Sequence, residues 1–125
     1  MEILHIHHVS FIVKNLEKAL SFYTGILNLQ CSPDRPKMAY PGAWLNIGES
    51  QQIHLLELEN PDSVDNRPIH GGKDRHAAFL IRDFSNLIER LDQHKRTYTL
   101  SHSGRHALFT RDYDGNTLEF IAWKG

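Results

Sequence analysis

Cysteine is almost missing: Cys31 is the only one. No disulfide can form within the chain, and a cytoplasmic location is the expectation. Long apolar runs are absent too, which argues against a helical membrane span. Neither sign of charge dominates, with 14 Lys and Arg against 15 Asp and Glu. The basic residues are scattered rather than striped, so the chain lacks the field that nucleic-acid binding usually needs. MEILHIHH at the start has no basic segment followed by a long apolar stretch, and no secretory signal is expected. At 125 residues, 40% hydrophobic and 23% charged, the chain fits one soluble globular domain. The one compositional excess is histidine, of which there are nine.

The histidines fall on an internal repeat. HHVSFIVKNLEKAL from His7 and RHAAFLIRDFSNLI from Arg75 align at an offset of 68, which matches His8 to His76, Phe11 to Phe79, Lys14 to Arg82 and Asn15 to Asp83. Leu16, Ala19, Leu20 and Tyr23 then map onto Phe84, Leu87, Ile88 and Leu91, the i, i+3, i+4, i+7 stripe of an amphipathic helix in both copies. Asn15 and Asp83 stand immediately before these stripes as helix caps. A β-rich segment precedes each cap, at residues 8–13 and 76–81. The remainder of each copy reads as strands: 43–47 and 52–58 around Gly48-Glu49-Ser50, and 107–110 and 117–123 around an Asp-Gly turn at Asp114-Gly115. A further strand is expected in each copy, near Leu29–Ser32 and Thr97–Ser101. The fold expected is α+β, a pair of βαβββ modules within one domain covering 1–125: module 1 about 1–59, a Pro-, Gly- and Asp-rich linker over 60–74, and module 2 about 75–125.

Alternation along the strands groups His8 with Ser10 and Ile12, and His76 with Ala78 and Leu80. In the last strand of each copy, Ile53-His54-Leu55 aligns with Leu118-Glu119-Phe120, so His54 and Glu119 occupy matching places. Four potential metal ligands, His8, His54, His76 and Glu119, thus stand at positions related by the repeat, and a pseudo-twofold arrangement would bring them together. Glu57 is the rival to His54 on the same strand, but its parity is opposite. Imidazoles with one carboxylate suit a divalent cation such as Ni, Co, Fe, Mn or Zn, and four ligands on a six-coordinate ion leave two positions open. Arg105, beside Ser101, Ser103 and Gly104, and Arg75, with Arg67, His70 and Lys73 in the linker, are candidates to bind an anionic substrate. Tyr23, Trp44 and Phe109 are read as core or cavity wall, and His5, His7, His94, His102 and His106 as exposed.

With HHVSFIVKNLEKALSFYTGIL, GAWLNIGESQQIHLLELENPD, DRHAAFLIRDF and FTRDYDGNTLEF in place, nearly the whole chain resembles the vicinal oxygen chelate superfamily. That group includes glyoxalase I, fosfomycin-resistance metalloenzymes, methylmalonyl-CoA epimerase and extradiol dioxygenases. The resemblance implies a curved mixed sheet around a metal, with ligands at His8, His76 and Glu119, and it implies a homodimer. It further implies a metal-dependent lyase or isomerase that chelates vicinal oxygens of a small substrate and moves a proton through an enediolate, with Glu119 as the base. At His54 the chain departs from glyoxalase I, which usually has Glu there, and it has no clear counterpart of the potassium-binding loop of the fosfomycin enzymes. Alternatives within the same superfamily are a metal-free ligand-sequestering protein of the bleomycin-resistance type, a thiol transferase and an extradiol dioxygenase.

Overall fold

The computed structural model describes residues 1–125, which divide into two compact units, Met1–Pro61 and Asp62–Gly125. In the first, β1 (His8–Val13) leads into α1 (Leu16–Leu20), a π-helical turn (Ser21–Ile26), β2 (Gly42–Ile47) and β3 (Gln51–Glu57). The strand order is β1-β3-β2, with β3 parallel to β1 and antiparallel to β2. The second unit runs β4 (His76–Ile81), α2 (Phe84–Gln93), β5 (Tyr98–Leu100), β6 (Ala107–Arg111) and β7 (Thr117–Ala122). Its order is β4-β7-β6-β5, and β4 lies parallel to β7. Each unit therefore places its first and last strands side by side, with the helix as the crossover that a parallel pair requires. These are the paired βαβββ modules of an α+β fold.

Both helix caps form as the sequence suggests. Asn15 Oδ1 accepts from the Lys18 N–H at 2.8 Å, and Asp83 Oδ1 from the Asn86 N–H at 3.2 Å. The stripe of the second copy is buried at Phe84, Leu87 and Leu91, facing Leu108, Leu118 and Phe120 of the sheet. In the first copy the helix widens after Leu20, where the Leu27 N–H reaches the Phe22 carbonyl at 3.0 Å. Ser21 and Thr24 donate their hydroxyls back to the Lys18 and Leu20 carbonyls at 2.6 Å, a competition that disturbs regular α-helical bonding. Phe22, Tyr23 and Ile26 of this turn are all buried. The buried face is Ala19, Phe22, Tyr23 and Ile26, itself an i, i+3, i+4, i+7 set, whereas Leu16 and Leu20 of the expected stripe are only half-buried.

The strand expected near Leu29–Ser32 shrinks to one bridge, Cys31 to Leu45, flanked by bonds from Ser32 N to Trp44 O and from Asn46 N to Gln30 O. Its neighbours account for the loss. Asn28 adopts a left-handed φ of 59° on one side, and Pro33, which has no N–H, stands on the other. The segment 62–74, read from sequence as a linker, belongs to the second unit. Arg111 holds it through the Pro68 carbonyl at 2.6 Å and the Asp74 carboxylate at 2.7 Å.

Candidate functional site

Register confirms the side-chain arrangement proposed from the repeat. Ser10 stands opposite His54 in the first unit, and Ala78, its repeat mate, opposite Glu119 in the second. His8 and His76 lie two residues earlier on β1 and β4, so each shares a sheet face with its partner on the neighbouring strand. The nearby Glu57 points to the opposite face, where its Oε2 accepts from the Leu16 N–H at 2.7 Å and caps α1. That task occupies it. His54, not Glu57, lies on the face that carries His8.

In the first unit the His54 ring is held between two others. His8 stacks on one side at 3.9 Å between ring centroids, and Trp44, its cross-strand neighbour, on the other at 4.4 Å. The tautomer is fixed through Gln52. Its amide nitrogen donates to Asn46 Oδ1 at 3.2 Å, which leaves Gln52 Oε1 to accept from His54 Nε2–H at 2.9 Å. The neutral ring then carries its lone pair on Nδ1. Burial pushes the His54 pKa down to about 4, and the charges of His8, His7 and Arg35 push in the same direction. A neutral imidazole is the form that binds metals.

The shift carries a stability consequence. Between about pH 6.5 and about pH 4 the unfolded chain takes a proton at this position and the folded chain does not, so the stabilisation present above that window is lost as pH falls through it. In chelator-treated protein, urea unfolding followed from about pH 7 to about pH 4 should show that decline, and His54→Gln should flatten it. An equally steep decline in the variant would assign the effect to other groups.

In the second unit His76 Nε2 lies 3.2 Å from Glu119 Oε1, and the Glu119 side chain is only 3% exposed. His76 Nδ1 is 2.8 Å from the Asp74 carbonyl oxygen, which can only accept. Nδ1 therefore carries a hydrogen, and Nε2 faces a carboxylate oxygen. At 3.2 Å the contact is held by a shared proton, and a metal ion bound by both atoms would take the place of that proton. Arg105 Nη2 contacts the other carboxylate oxygen, Oε2, also at 3.2 Å. Phe109, opposite Glu119 on β6, meets the His76 ring edge to face at 5.0 Å and walls this pair. It meets His70 in the same way at 5.1 Å. His70 hydrogen-bonds Thr99 Oγ1 at 2.7 Å and stacks on His102, while desolvation, then His102 and Lys73, hold its pKa below the ordinary 6.5.

The structure thus joins His8 to His54, and His76 to Glu119 and Arg105. Arg75 goes elsewhere, to Asp62 at 2.7 Å on the surface. Within neither unit do three or more His, Cys, Asp or Glu side chains gather as a metal-binding group. Each unit offers one pair of donors, and their chemistry, neutral imidazole with a buried carboxylate, fits a divalent cation. His5, His7, His94, His102 and His106 are exposed, and Tyr23 is core, as expected. Trp44, assigned only a wall role, is the stacking partner of His54. Cross-strand pairing around the Gly48 turn was the available signal for it. Asp74 and Arg111, which support His76, gave no local signal because they meet across 37 residues of chain.

Comparison with known proteins agrees with this architecture. Residues 5–120 match the model of the Glyoxalase/Bleomycin resistance protein/Dioxygenase superfamily. A lactoylglutathione lyase of Neisseria meningitidis serogroup B is 26% identical over 94% of this chain and 89% of its own. The crystal structure of a glyoxalase family protein from Bacillus anthracis superposes with a TM-score of 0.77 at 22% identity, covering 99% of this chain and 98% of that one. A mutant fosfomycin resistance protein, FosX, from Listeria monocytogenes was solved with Mn(II) and a dihydroxypropylphosphonic acid. It superposes with a TM-score of 0.73 at 21% identity, covering 97% and 93% of the two chains. No helix is long and apolar enough to cross a membrane. With a family match across almost its full length and the modular fold to accompany it, the chain belongs to the Glyoxalase/Bleomycin resistance protein/Dioxygenase superfamily.

Proposed function

We propose that this protein is a divalent-metal-dependent enzyme of the glyoxalase type, a lyase or isomerase acting on a small substrate with vicinal oxygens. His8, His54, His76 and Glu119 are its divalent-cation ligands, and the protein is a homodimer. The observation that carries this reading is the contact between His76 Nε2 and the buried Glu119 Oε1 at 3.2 Å, with His76 Nδ1 turned to the Asp74 carbonyl. The names of the relatives support it: one is a lactoylglutathione lyase, and a FosX protein was solved with Mn(II).

A bound divalent cation supplies Lewis acidity toward neighbouring substrate oxygens and so makes an adjacent C–H bond easier to deprotonate. The chain's own groups do the rest. Glu119 borders the substrate position and takes the proton on a carboxylate oxygen, then returns it at the neighbouring carbon. The Asp74 carbonyl keeps His76 in one tautomer, and Gln52 does the same for His54. Phe109 and Trp44 form apolar walls that limit water around the donors. Arg105, the exposed cation beside Glu119, orients an anionic group of the substrate.

A metal-free ligand-sequestering role of the bleomycin-resistance type is the second reading. It draws on the ion pair with Arg105, which neutralises the Glu119 carboxylate from within the chain. Elemental mass spectrometry on untagged protein separates the two. Near-stoichiometric divalent metal is expected in the parent, with little in His76→Ala. A parent that remains metal-free after Ni, Co, Zn, Mn and Fe have each been offered would remove the enzyme reading and leave sequestration.

A further inference from the structure

Both oxygens of the Glu119 carboxylate have partners supplied by the chain: His76 Nε2 at Oε1 and Arg105 Nη2 at Oε2, each at 3.2 Å. The two sides of the Arg105 ion pair are unequal. Glu119 is 3% exposed, and a carboxylate so buried is costly without a positive partner. Arg105 is 57% exposed, so its charge is hydrated whether or not it touches Glu119. Its other side-chain anchor is weak, a single bond from Nε to Ser103 Oγ at 3.2 Å.

The segment that carries it is tied to the sheet at its two ends, where the Ser101 N–H donates to the Ala107 carbonyl and the His106 carbonyl accepts from the Ala122 N–H, both at 2.9 Å. Residues 101–106 form an exposed turn between β5 and β6, with Gly104 at a left-handed φ of 82°. The side-chain hydroxyls of Ser101 and Ser103 bond inside that turn. The guanidinium can swing into solvent without breaking a contact to the sheet other than the one to Glu119.

We propose that Arg105 is a resident counter-cation of Glu119, which an incoming divalent cation must displace. The inference rests on reading His76 and Glu119 as ligands, and it adds a competitor built into the chain. Competition lowers the apparent affinity for metal in proportion to the fraction of Glu119 that the guanidinium holds. A bracing role, with Arg105 steadying the carboxylate for the metal as outer-shell partners do, predicts the reverse. Removing a competitor tightens metal binding, whereas removing a brace weakens it.

Calorimetric titration with Co(II) reads that sign directly. The parent, Arg105→Gln, Arg105→Lys and Glu119→Gln are compared after chelator treatment, with thermal melting as the check on folding. Arg105→Gln should bind Co(II) roughly two- to fivefold more tightly, the size expected of one half-exposed ion pair, and Arg105→Lys, which keeps the charge, should stay near the parent. If the parent binds and Glu119→Gln does not, but Arg105→Gln binds equally or more weakly with unchanged melting, the counter-cation role is overturned and the ligand assignment stands. If neither the parent nor Arg105→Gln takes up Co(II), the ligand assignment fails and the counter-cation role fails with it.

Discussion

Glu119→Gln is expected to weaken divalent-cation binding by more than about 100-fold, beyond the 10–100-fold typical of changes outside the ligand shell, while moving stability by only about 1 kcal/mol. The split follows from what the amide keeps and what it loses. Its volume is that of the carboxylate, so no cavity opens in the packing around a side chain that is 3% exposed. Its oxygen still accepts from Arg105, though without the added strength of an ionised acceptor. Removing a buried negative charge also removes its desolvation cost, which offsets much of the weakened hydrogen bond. For the cation there is no such compensation, because a neutral amide supplies neither the charge nor the donor strength of the carboxylate. Co(II) titration beside urea unfolding reads both quantities in one preparation. A variant that binds Co(II) as well as the parent would remove Glu119 from the ligand set.

The largest loss of stability is expected from Arg111→Ala. Arg111 Nη1 donates to Asp74 Oδ2 at 2.7 Å, to the Gly115 carbonyl at 2.9 Å and to Thr117 Oγ1, and Nη2 donates to the Pro68 carbonyl at 2.6 Å. One side chain ties β6, the turn after it, the start of β7 and the 62–74 segment together. Asp74 depends on it electrostatically. Burial alone would raise the Asp74 pKa, but the hydrogen bond from Arg111, the Arg75 backbone N–H and the charges of Arg67 and Arg111 outweigh burial and hold it below the usual value. Without Arg111 the carboxylate retains only Arg67 as an ion-pair partner, at 3.5 Å.

Breaking a fully buried pair costs about 3–5 kcal/mol. Arg111 is 23% exposed, so solvent screens part of that cost, and a loss of about 2–3 kcal/mol is expected. In melting temperature this is a fall of roughly 8–12 °C for a chain of this length. Because the Asp74 carbonyl orients His76, cation affinity should fall about tenfold as well. Arg111→Lys keeps the charge but not the four-way fork, and should recover less than half of the stability. Thermal and urea unfolding measure the first effect and Co(II) titration the second. A melting point within about 2 °C of the parent would show that the network contributes little.

Much of this architecture can be read along the chain because its determinants are local or strictly periodic. The caps at Asn15 and Asp83, the buried stripe of Phe84, Leu87 and Leu91, and the first strand of each copy depend on residues within a few positions of one another. The match of His54 to Glu119 required only the repeat and the two-residue period of a strand, and the register bears it out. That same period puts Glu57 on the face opposite His54. The structure adds the reason: Glu57 is engaged by the N-terminus of α1.

Other features depend on where distant backbone atoms come to rest, and sequence pattern is silent about these. The widened turn over Ser21–Ile26 goes with the Ser21 and Thr24 hydroxyls bonding back to the helix, which hydrophobic period does not register. Arg75 and Arg105 looked alike as loop arginines. Only folding sends one to Asp62 at the surface and the other to the buried carboxylate of Glu119.

The sequence by itself determined the modular repeat and the strand positions and faces of His8, His54, His76 and Glu119, because strand parity and helical period are properties of neighbouring residues. Tertiary structure alone decided which nitrogen of each imidazole is free, since that depends on the Asp74 carbonyl and the Gln52 amide. It alone set the charge around Glu119, because burial, Arg105 and the Arg111–Asp74 brace act through space rather than along the chain.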